Sequence, residues 1–396
     1  MDPLVRYSRS NSLQTKAERY DATLAYRRKN YTSIEGCYPI YAQKAKGAYL
    51  WDVDGNQYTD YIMGYGTIIL GHSNDEVNKA VKDEIDSGTC VSPLYKLQQL
   101  ELTELLINTI PGSEMSLLMK TGSDATSGAV RLARCYTGRN KVIRWGYNGW
   151  HDWSTPRPMG VPHDITKDVI ICSYNSIEEL EKIFTAYPEE ISCLIMMPFD
   201  VEQPKPGYFQ QVRDITHKYG ALFIMDEMRT GFRISLGGAQ EYYKVEADLA
   251  TYSKAMSNGY PISAIVGKRK YFANLNNTKM TATYFGSSYE MAAAMKTIEI
   301  LRDKHVSEYI FNLGKLFKRQ TEKLIEQYKI PAASVGFEAM PYIEFFDDKL
   351  KREFYINCSL KGILLHPNHH WYISYSHTEN DIHETLQALE SIFKTL

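Results

Sequence analysis

The chain has 396 residues, of which 44% are hydrophobic and 23% charged, and its formal net charge is −2. This length can bury a large core and predicts two domains, or one large domain with a smaller lobe. So small a net charge gives no basic field for nucleic acid. No apolar run approaches the ~18 residues of a membrane-spanning helix, and the first ten residues lack the apolar centre of a signal peptide.

The cysteines predict the compartment. They are Cys37, Cys90, Cys135, Cys172, Cys193 and Cys358, and no two of them form a Cys-x-x-Cys pair. Several lie in apolar runs, as is typical of free, buried thiols in a reducing environment. We therefore expect a cytoplasmic protein without disulfides.

The histidines near the C-terminus do not predict a metal site. His366, His369 and His370 are close in sequence, but no cysteine or acid near them completes a ligand set. Neighbouring side chains on a strand also point to opposite faces.

The N-terminal part of the chain predicts a hairpin followed by two helices. Asp54-Gly55 is a turn signal between two alternating segments. Ser73–Ser87 and Lys96–Thr109 have the apolar spacing of amphipathic helices, and Pro111-Gly112 ends the second.

Between Met115 and Lys268, short apolar runs alternate with helical patterns. The predicted strands are Met115–Met119, Lys141–Trp145, Ser192–Pro198, Ala221–Met225 and Leu249–Tyr252, with a helix over Gly207–Tyr219. This alternation predicts an α/β fold with a mostly parallel sheet that is covered by helices on both faces.

Two of these strands each end next to a charged residue. Asp226 follows the apolar run Ala221–Met225, and Lys254 follows Leu249–Tyr252. Parallel strands bring their carboxyl ends to one edge of a sheet, where open α/β sheets bind ligands. An acid and an amine there suit pyridoxal phosphate (PLP): the acid pairs with the protonated pyridine nitrogen, and the lysine forms the Schiff base. The pair by itself leaves open that both are surface residues at strand ends.

A turn between a strand and a helix predicts an anion seat. Gly122 and Ser123 follow the strand Met115–Met119 and open a helical pattern. Bare backbone N–H groups and the helix dipole favour a phosphate at such a turn, and the Ser123 hydroxyl can add a hydrogen bond.

The segments around these residues resemble the class III PLP-dependent aminotransferases, which have fold type I. Residues Asp226–Arg233 are similar to the family's Asp-Glu-Val-x-Thr-Gly-Phe-Arg, and Gly237–Tyr243 resembles the glutamate-1-semialdehyde aminomutase branch. The resemblance extends from about Ala45 to Ser391. It implies a large PLP-binding domain over residues 61–288 and a smaller α+β domain over residues 289–396, which residues 1–60 join.

The resemblance also implies roles for particular residues. Lys254 and Asp226 would be catalytic, and Tyr147 would stack on the pyridine ring. The implied cofactor contacts are Gly122, Ser123, Tyr147, Asp226, Met228, Lys254 and Thr283. Thr283 matches a threonine that crosses the dimer interface to the neighbour's cofactor phosphate, which implies a homodimer with shared active sites.

Five residues depart from the family pattern. Asp124 stands where the family usually has glutamate, Asn148 where it has histidine, and Met197 where it commonly has glutamate. Ser287-Ser288 replaces the familiar Asn-Pro. The roles of these positions are therefore open.

The C-terminal part predicts helices and short strands. The helices are predicted over Met291–Lys304 and Leu313–Tyr328, and the strands over Tyr342–Phe346, Gly362–Leu365 and Trp371–Tyr375.

The substrate is predicted from two residues that are absent from segments which the resemblance places near the substrate pocket. The aminomutase arginine and acid are missing from Gly36–Tyr41 and His366–Tyr372, which favours transfer between two small molecules. An amino acid, glutamate in such families, would be the donor, and an aldehyde or ketone the acceptor. A predicted pocket that is rich in Tyr, His and Asn side chains suggests that the acceptor is a sugar or a sugar acid similar to Kdo. The candidate substrate residues are Tyr38, Tyr65, Asn148 and His369. An aminomutase and a non-catalytic PLP-binding subunit remain alternatives.

Overall fold

A computed structural model describes residues 3–27, 38–39 and 41–396. The chain divides into two compact units, a larger one of Glu76–Ser307 and a smaller one of Met1–Asp75 together with Glu308–Leu396. The domain boundaries predicted from the sequence, at residues 60/61 and 288/289, stay a prediction.

The secondary-structure elements are numbered along the chain. The strands are β1 Ala42–Lys46, β2 Tyr49–Asp52, β3 Gln57–Asp60, β4 Met115–Met119, β5 Lys141–Trp145, β6 Val169–Ile171, β7 Ile191–Met196, β8 Leu222–Asp226, β9 Leu249–Tyr252, β10 Ser263–Gly267, β11 Ala332–Phe337, β12 Met340–Phe345 and β13 Ile363–Leu364. The helices are α1 Pro3–Arg6, α2 Ser8–Ala17, α3 Met63–Gly66, α4 Asp75–Asp86, α5 Leu97–Thr109, α6 Gly122–Thr137, α7 His163–Thr166, α8 Ile177–Ala186, α9 Tyr208–Lys218, α10 Ala239–Tyr242, α11 Leu275–Thr278, α12 Tyr289–Asp303, α13 Val306–Gln327, α14 Asp348–Leu360 and α15 Glu379–Phe393.

The larger unit is built on a seven-stranded sheet with the order β4-β10-β9-β8-β7-β5-β6. Only β10 runs against the others, because it pairs antiparallel with both β4 and β9. The remaining pairs are parallel. The mostly parallel α/β sheet predicted from the sequence is therefore confirmed.

The sheet of the larger unit is covered on both faces. Every residue of β7, β8, β9 and β10 is buried, and successive side chains of a strand point to opposite faces. Helix α6 packs across β7 to β10, α9 against β8 and α5 against β4. These helices fix the strand ends, so the turns that follow the strands have defined positions.

The smaller unit contains two sheets. One has the order β1-β2-β3-β13, and the other pairs β11 with β12. Asp54 and Gly55 lie in the turn between β2 and β3, where Trp51 pairs with Gln57, so the predicted hairpin is confirmed. Helices α14 and α15 pack on each other, and α14 contacts β12 and β13.

One predicted strand is wrong. Trp371–Tyr375 is extended but forms no ladder with a single neighbour, because its N–H groups bond alternately in two directions. Trp371 and Ile373 donate to Pro341 and Ala339 at 3.0 and 3.3 Å, whereas Tyr372 and Tyr375 donate to Tyr61 and Ile69 at 2.7 and 2.8 Å. Apolar alternation cannot reveal how such a segment divides its hydrogen bonds.

Across the residues the structure describes, no helix combines the length and apolarity needed to cross a bilayer.

Candidate active site

A cavity of about 240 Å³ lies at the carboxyl edge of the seven-stranded sheet. It is lined by Thr121, Gly122, Ser123, Thr126, Tyr147, Asn148, Gly149, Trp150, Met197, Asp226, Met228, Arg229, Ser253 and Lys254. These residues follow β4, β5, β7, β8 and β9, whose carboxyl ends meet at this edge. The sheet therefore brings together Asp226 and Lys254, as the sequence predicted.

Asp226 is a buried carboxylate at the end of β8, with 1% of its surface exposed. Its Oδ2 accepts a hydrogen bond from Asn148 Nδ2 at 2.8 Å, and its Oδ1 accepts one from the Met228 N–H at 3.2 Å. Burial raises the pKa of this carboxyl, while these two hydrogen bonds and the charges of Lys254 and Arg229 oppose the rise. An additional cation beside Asp226 would stabilise the ionised form.

Lys254 follows β9 and begins a short 3₁₀ turn, Lys254–Ser257. Its φ of +46° lies in the left-handed region, where a residue with a side chain carries about 1–3 kcal/mol of strain. Burial, followed by the charge of Arg229, lowers the pKa of the Lys254 amine to about 7, although Asp226 opposes the change. At neutral pH a large fraction of this amine is thus uncharged and nucleophilic.

The N-terminus of α6 has the strand-to-helix turn at which the sequence predicted an anion-binding site. Thr121 caps the helix: its Oγ1 accepts the Asp124 N–H at 3.2 Å, and Asp124 Oδ2 accepts the Thr121 N–H at 2.8 Å. Asp124 thus completes a capping box although it is shorter than the family's glutamate. The N–H groups of Gly122 and Ser123 have no acceptor among the described residues, so the first turn can receive a phosphate.

Two glycines let the loop after β4 approach the loops after β8 and β5. A Cβ on Gly122 would lie 2.8 Å from Met228 Sδ. Gly149 has a φ of +108°, and a Cβ there would lie 2.6 Å from Ser123 Oγ. Ser123 Oγ also accepts the Trp150 N–H at 3.3 Å, which joins the two loops. A side chain at either glycine would collide with the neighbouring loop.

The loop after β5 supplies an aromatic ring and an amide. Tyr147 lines the cavity with half of its surface exposed, whereas Asn148 is 1% exposed. Thr126 Oγ1 donates to the Asn148 carbonyl at 2.7 Å and holds the loop. The Asn148 side-chain Oδ1 is buried and has no partner among the described residues, so a bound donor or water would satisfy it.

Six residues that line the cavity were not predicted from the sequence: Thr121, Thr126, Gly149, Trp150, Arg229 and Ser253. Arg229 occupies the variable position of the Asp-Glu-Val-x-Thr-Gly-Phe-Arg segment, and its Nη1 lies 2.6 Å from Asp200 Oδ1. Trp150 comes two residues after Asn148 and is largely exposed. Their only signal in the sequence was closeness to a predicted site residue.

Met197 occupies the place of the family's usual carboxylate after β7. It lines the cavity and is 4% exposed. A Cβ on Gly146, whose φ is +84°, would lie 2.6 Å from Met197 Cε, so the thioether fills space next to that turn. This part of the cavity wall is therefore apolar.

Thr283 does not line the Asp226 cavity of its own chain. It is exposed at the start of a 3₁₀ turn, Thr283–Gly286, and borders a separate cleft of about 470 Å³. The predicted role of Thr283 at a neighbour's cofactor stays a prediction.

Three predicted substrate residues belong to the smaller unit. Tyr65 lies in α3, whose four residues all have positive φ values, and its hydroxyl lies 3.3 Å from His366 Nε2. The ring of His369 packs edge-on against the ring of Tyr65, with 5.1 Å between the ring centroids. Tyr38 is buried and donates to the Leu365 carbonyl at 3.1 Å. Cys37 and its neighbour Gly36 lie outside the described residues.

No group of three or more His, Cys, Asp or Glu side chains among the described residues is arranged to hold a metal ion. The donors around the cavity instead fit PLP. They comprise an amine of lowered pKa, a buried carboxylate, a half-exposed ring and a helix N-terminus with two N–H groups available to a phosphate.

This fold and this site define a PLP-dependent transferase of fold type I. The chain belongs to the class III aminotransferase family, whose model matches residues 31–152 and 154–393. It is therefore a PLP-dependent aminotransferase, and the non-catalytic alternative is set aside.

Known relatives cover almost the whole chain. It is 38% identical to the 3-aminobutyryl-CoA aminotransferase of Cloacimonas acidaminovorans over 97% of this chain and 96% of the relative. It is 34% identical to the glutamate-1-semialdehyde 2,1-aminomutase of Persephonella marina over 91% of this chain and 92% of the relative. The FumI protein of Sphingopyxis sp. MTA144, solved with PLP, superimposes with a TM-score of 0.92 at 27% identity, over 98% of this chain and 96% of that chain.

Proposed function

We propose that Lys254 holds PLP and that Asp226 keeps the proton on its ring nitrogen. The observation that carries this proposal is an amine with a pKa of about 7 in one cavity with a buried carboxylate. PLP, when bound, supplies an electron sink for negative charge at the substrate carbon. The N-terminus of α6, with Gly122 and Ser123, would hold the phosphate, and Tyr147 and Met228 would pack against the cofactor.

Lys254 would also move a proton. Its amine lies in the cavity that would hold PLP, so it would stay within reach of a bound donor. A base of pKa near 7 suits this step, because it takes up and returns a proton at neutral pH. Lys254 would take the proton from the α-carbon of the donor and, in the second half of the cycle, give a proton to the carbon that carried the acceptor's carbonyl.

We propose that the acceptor is a 3-oxoacyl thioester, which becomes a 3-aminoacyl thioester, and that glutamate is the donor. Support comes from the 38% identity with a 3-aminobutyryl-CoA aminotransferase along 97% of the chain. The reacting acyl end of such a thioester carries no carboxylate, so it also needs no arginine of the kind that Gly36–Tyr41 lacks. The other candidate acceptor is a sugar or sugar acid, and its support is the cluster of Tyr65, His366 and His369, whose hydroxyl and imidazole groups can bind sugar hydroxyls.

The acceptor is tested in a half-reaction. Enzyme loaded with the amino group by glutamate is freed of donor, and 3-oxobutyryl-CoA, keto sugars, sugar acids and glutamate 1-semialdehyde are added separately. We expect 3-oxobutyryl-CoA to restore the absorbance of the PLP form fastest. A faster response to a sugar would replace the thioester proposal, and turnover of the semialdehyde without any donor would indicate an aminomutase.

We propose that the enzyme works as a homodimer in which Thr283 of the partner subunit completes each site. The larger unit exposes apolar side chains in and just before α5, which suits burial by a second copy. These are Leu94, Tyr95, Leu97 and Leu100, with exposures of 73%, 78%, 72% and 64%. Tyr284, next to Thr283, is also exposed.

Shared sites predict complementation between inactive variants. Thr283→Glu would repel the partner's cofactor phosphate, and Lys254→Ala would lack the reactive amine. Neither variant should be active alone. Co-expressed, they should recover about one quarter of the wild-type activity, because half of the dimers are mixed and one of their two sites is intact.

The matched control co-expresses Lys254→Ala with Asp226→Asn. Both changes damage the site of their own chain, so no mixed dimer has an intact site. Recovery in the control, or none with Thr283→Glu, would contradict the assignment of Thr283 to the neighbouring site.

A further inference from the structure

Arg229 is a lining residue of the cavity for which the proposed function has no role. Three charged side chains line this cavity, and they are Asp226, Arg229 and Lys254. The Arg229 side chain is 14% exposed, and Asp200, in the loop after β7, lies 2.6 Å from its guanidinium. A buried guanidinium held by a carboxylate is a charge of fixed position.

The charge of Arg229 acts on both of the other charged groups. It stabilises the ionised form of Asp226, and it opposes protonation of the Lys254 amine, for which it is the largest influence after burial. Arg233 acts on Lys254 in the same direction but is a smaller influence, whereas Asp226 acts against it.

Other elements around Lys254 contribute little charge of their own. Helix α12 packs on the Lys254–Ser257 turn and begins with Tyr289 and Glu290. The Glu290 carboxylate is paired with Lys120 at 3.0 Å. Met197, in place of the family's usual carboxylate, adds no negative charge to the cavity wall. Arg229 shares the cavity with Lys254 and is thus the cation with the largest effect on its amine.

We propose that Arg229 is a positioning residue, which acts through Lys254 by keeping its amine uncharged and therefore able to bond to the cofactor. The inference rests on the proposed role of Lys254. Arg229 itself need not touch the reacting atoms, because two cations that line one small cavity disfavour each other's charged form. Glutamine at position 229 would remove this repulsion, so more of the amine would be protonated at neutral pH.

The experiment follows attachment of PLP to the full-length chain after removal of its cofactor, at a series of pH values. Borohydride traps the bond, and peptide mass spectrometry measures the fraction trapped at Lys254. For Arg229→Gln we expect the midpoint to rise by about one pH unit. Attachment at pH 7 should then be about fivefold slower, because the uncharged fraction falls accordingly. Arg229→Lys, which keeps the charge, should retain a midpoint close to that of the wild type.

Lys218→Gln is the matched control, since it breaks an exposed ion pair with Glu181 in the same unit. Its midpoint should equal that of the wild type. An unchanged midpoint in Arg229→Gln overturns the inference, as does an equal shift in Arg229→Lys, which would indicate shape rather than charge. A higher KM for carboxylate donors with an unchanged midpoint also overturns it in favour of substrate binding. Failure to trap Lys254 in any protein, the wild type included, would instead reject the proposed function.

Discussion

Replacement of Lys254 by alanine is expected to reduce transamination at least about a thousandfold, because it removes both the cofactor-holding amine and the base that moves the substrate proton. The variant should still fold, since the left-handed backbone at this position is tolerated by alanine as well as by lysine. Steady-state rates with the preferred donor and acceptor, together with the melting temperature, measure both expectations.

Lys268→Ala provides a matched control for Lys254→Ala. Lys268 follows β10, the strand that runs against the others, so it lies at the opposite edge of the sheet. Its amine is 3.7 Å from Glu114 and 3.8 Å from Glu246. Activity should survive this change. Substantial activity in Lys254→Ala, with no lysine trapped by borohydride, would show that position 254 does not hold the cofactor.

The core of the site could be predicted from sequence because it depends on strand ends. Asp226 and Lys254 each follow a buried apolar run, and parallel strands place such ends at one edge. The register confirms how close these ends are, since Asp226 pairs with Thr251, three residues before Lys254. The helix N-terminus proposed to bind the phosphate could also be predicted, because a capped helix after a strand has a local sequence signature.

The other features of the site could not be predicted from the sequence, because they depend on tertiary contacts. The pairing of Arg229 with Asp200 joins turns that follow two different strands, and neither residue has a periodic signal. The hydrogen bond from Asn148 to Asp226 likewise spans residues far apart in sequence. The incorrect strand Trp371–Tyr375 has the same cause, since its pattern was right but its partners were not predictable.

Burial shifts the pKa values of Asp226 and Lys254 in opposite directions. It raises the pKa of Asp226 and lowers that of Lys254, so both tend toward their uncharged forms. For Lys254 this favours reactivity. For Asp226 it is a cost, which a protonated ring nitrogen beside the carboxylate would offset. On the proposed function, Asp226 would hold a cation and Lys254 would present a neutral amine.

Replacement of Asp226 by asparagine should test that organisation most directly. The amide has almost the same shape but cannot hold a proton on a ring nitrogen. Loss of one partner of a buried charge pair costs about 3–5 kcal/mol, which corresponds to a rate loss of about two to three and a half orders of magnitude. Steady-state kinetics measure the loss, and absorbance after borohydride trapping measures whether Lys254 still bonds to PLP. We expect bonding to persist and turnover to fall.

The matched control for Asp226→Asn is Asp248→Asn. Asp248 is a buried aspartate directly before β9, at the opposite edge of the same sheet, and accepts hydrogen bonds from His217 at 2.7 Å and Tyr271 at 2.6 Å. Its replacement should lower the melting temperature, because these donors lose a charged acceptor, but it should spare the turnover of the folded enzyme. If Asp226→Asn lost only stability, as Asp248→Asn should, Asp226 would be a structural carboxylate. Turnover lost at position 226 alone would tie the chemistry to the charge at the end of β8.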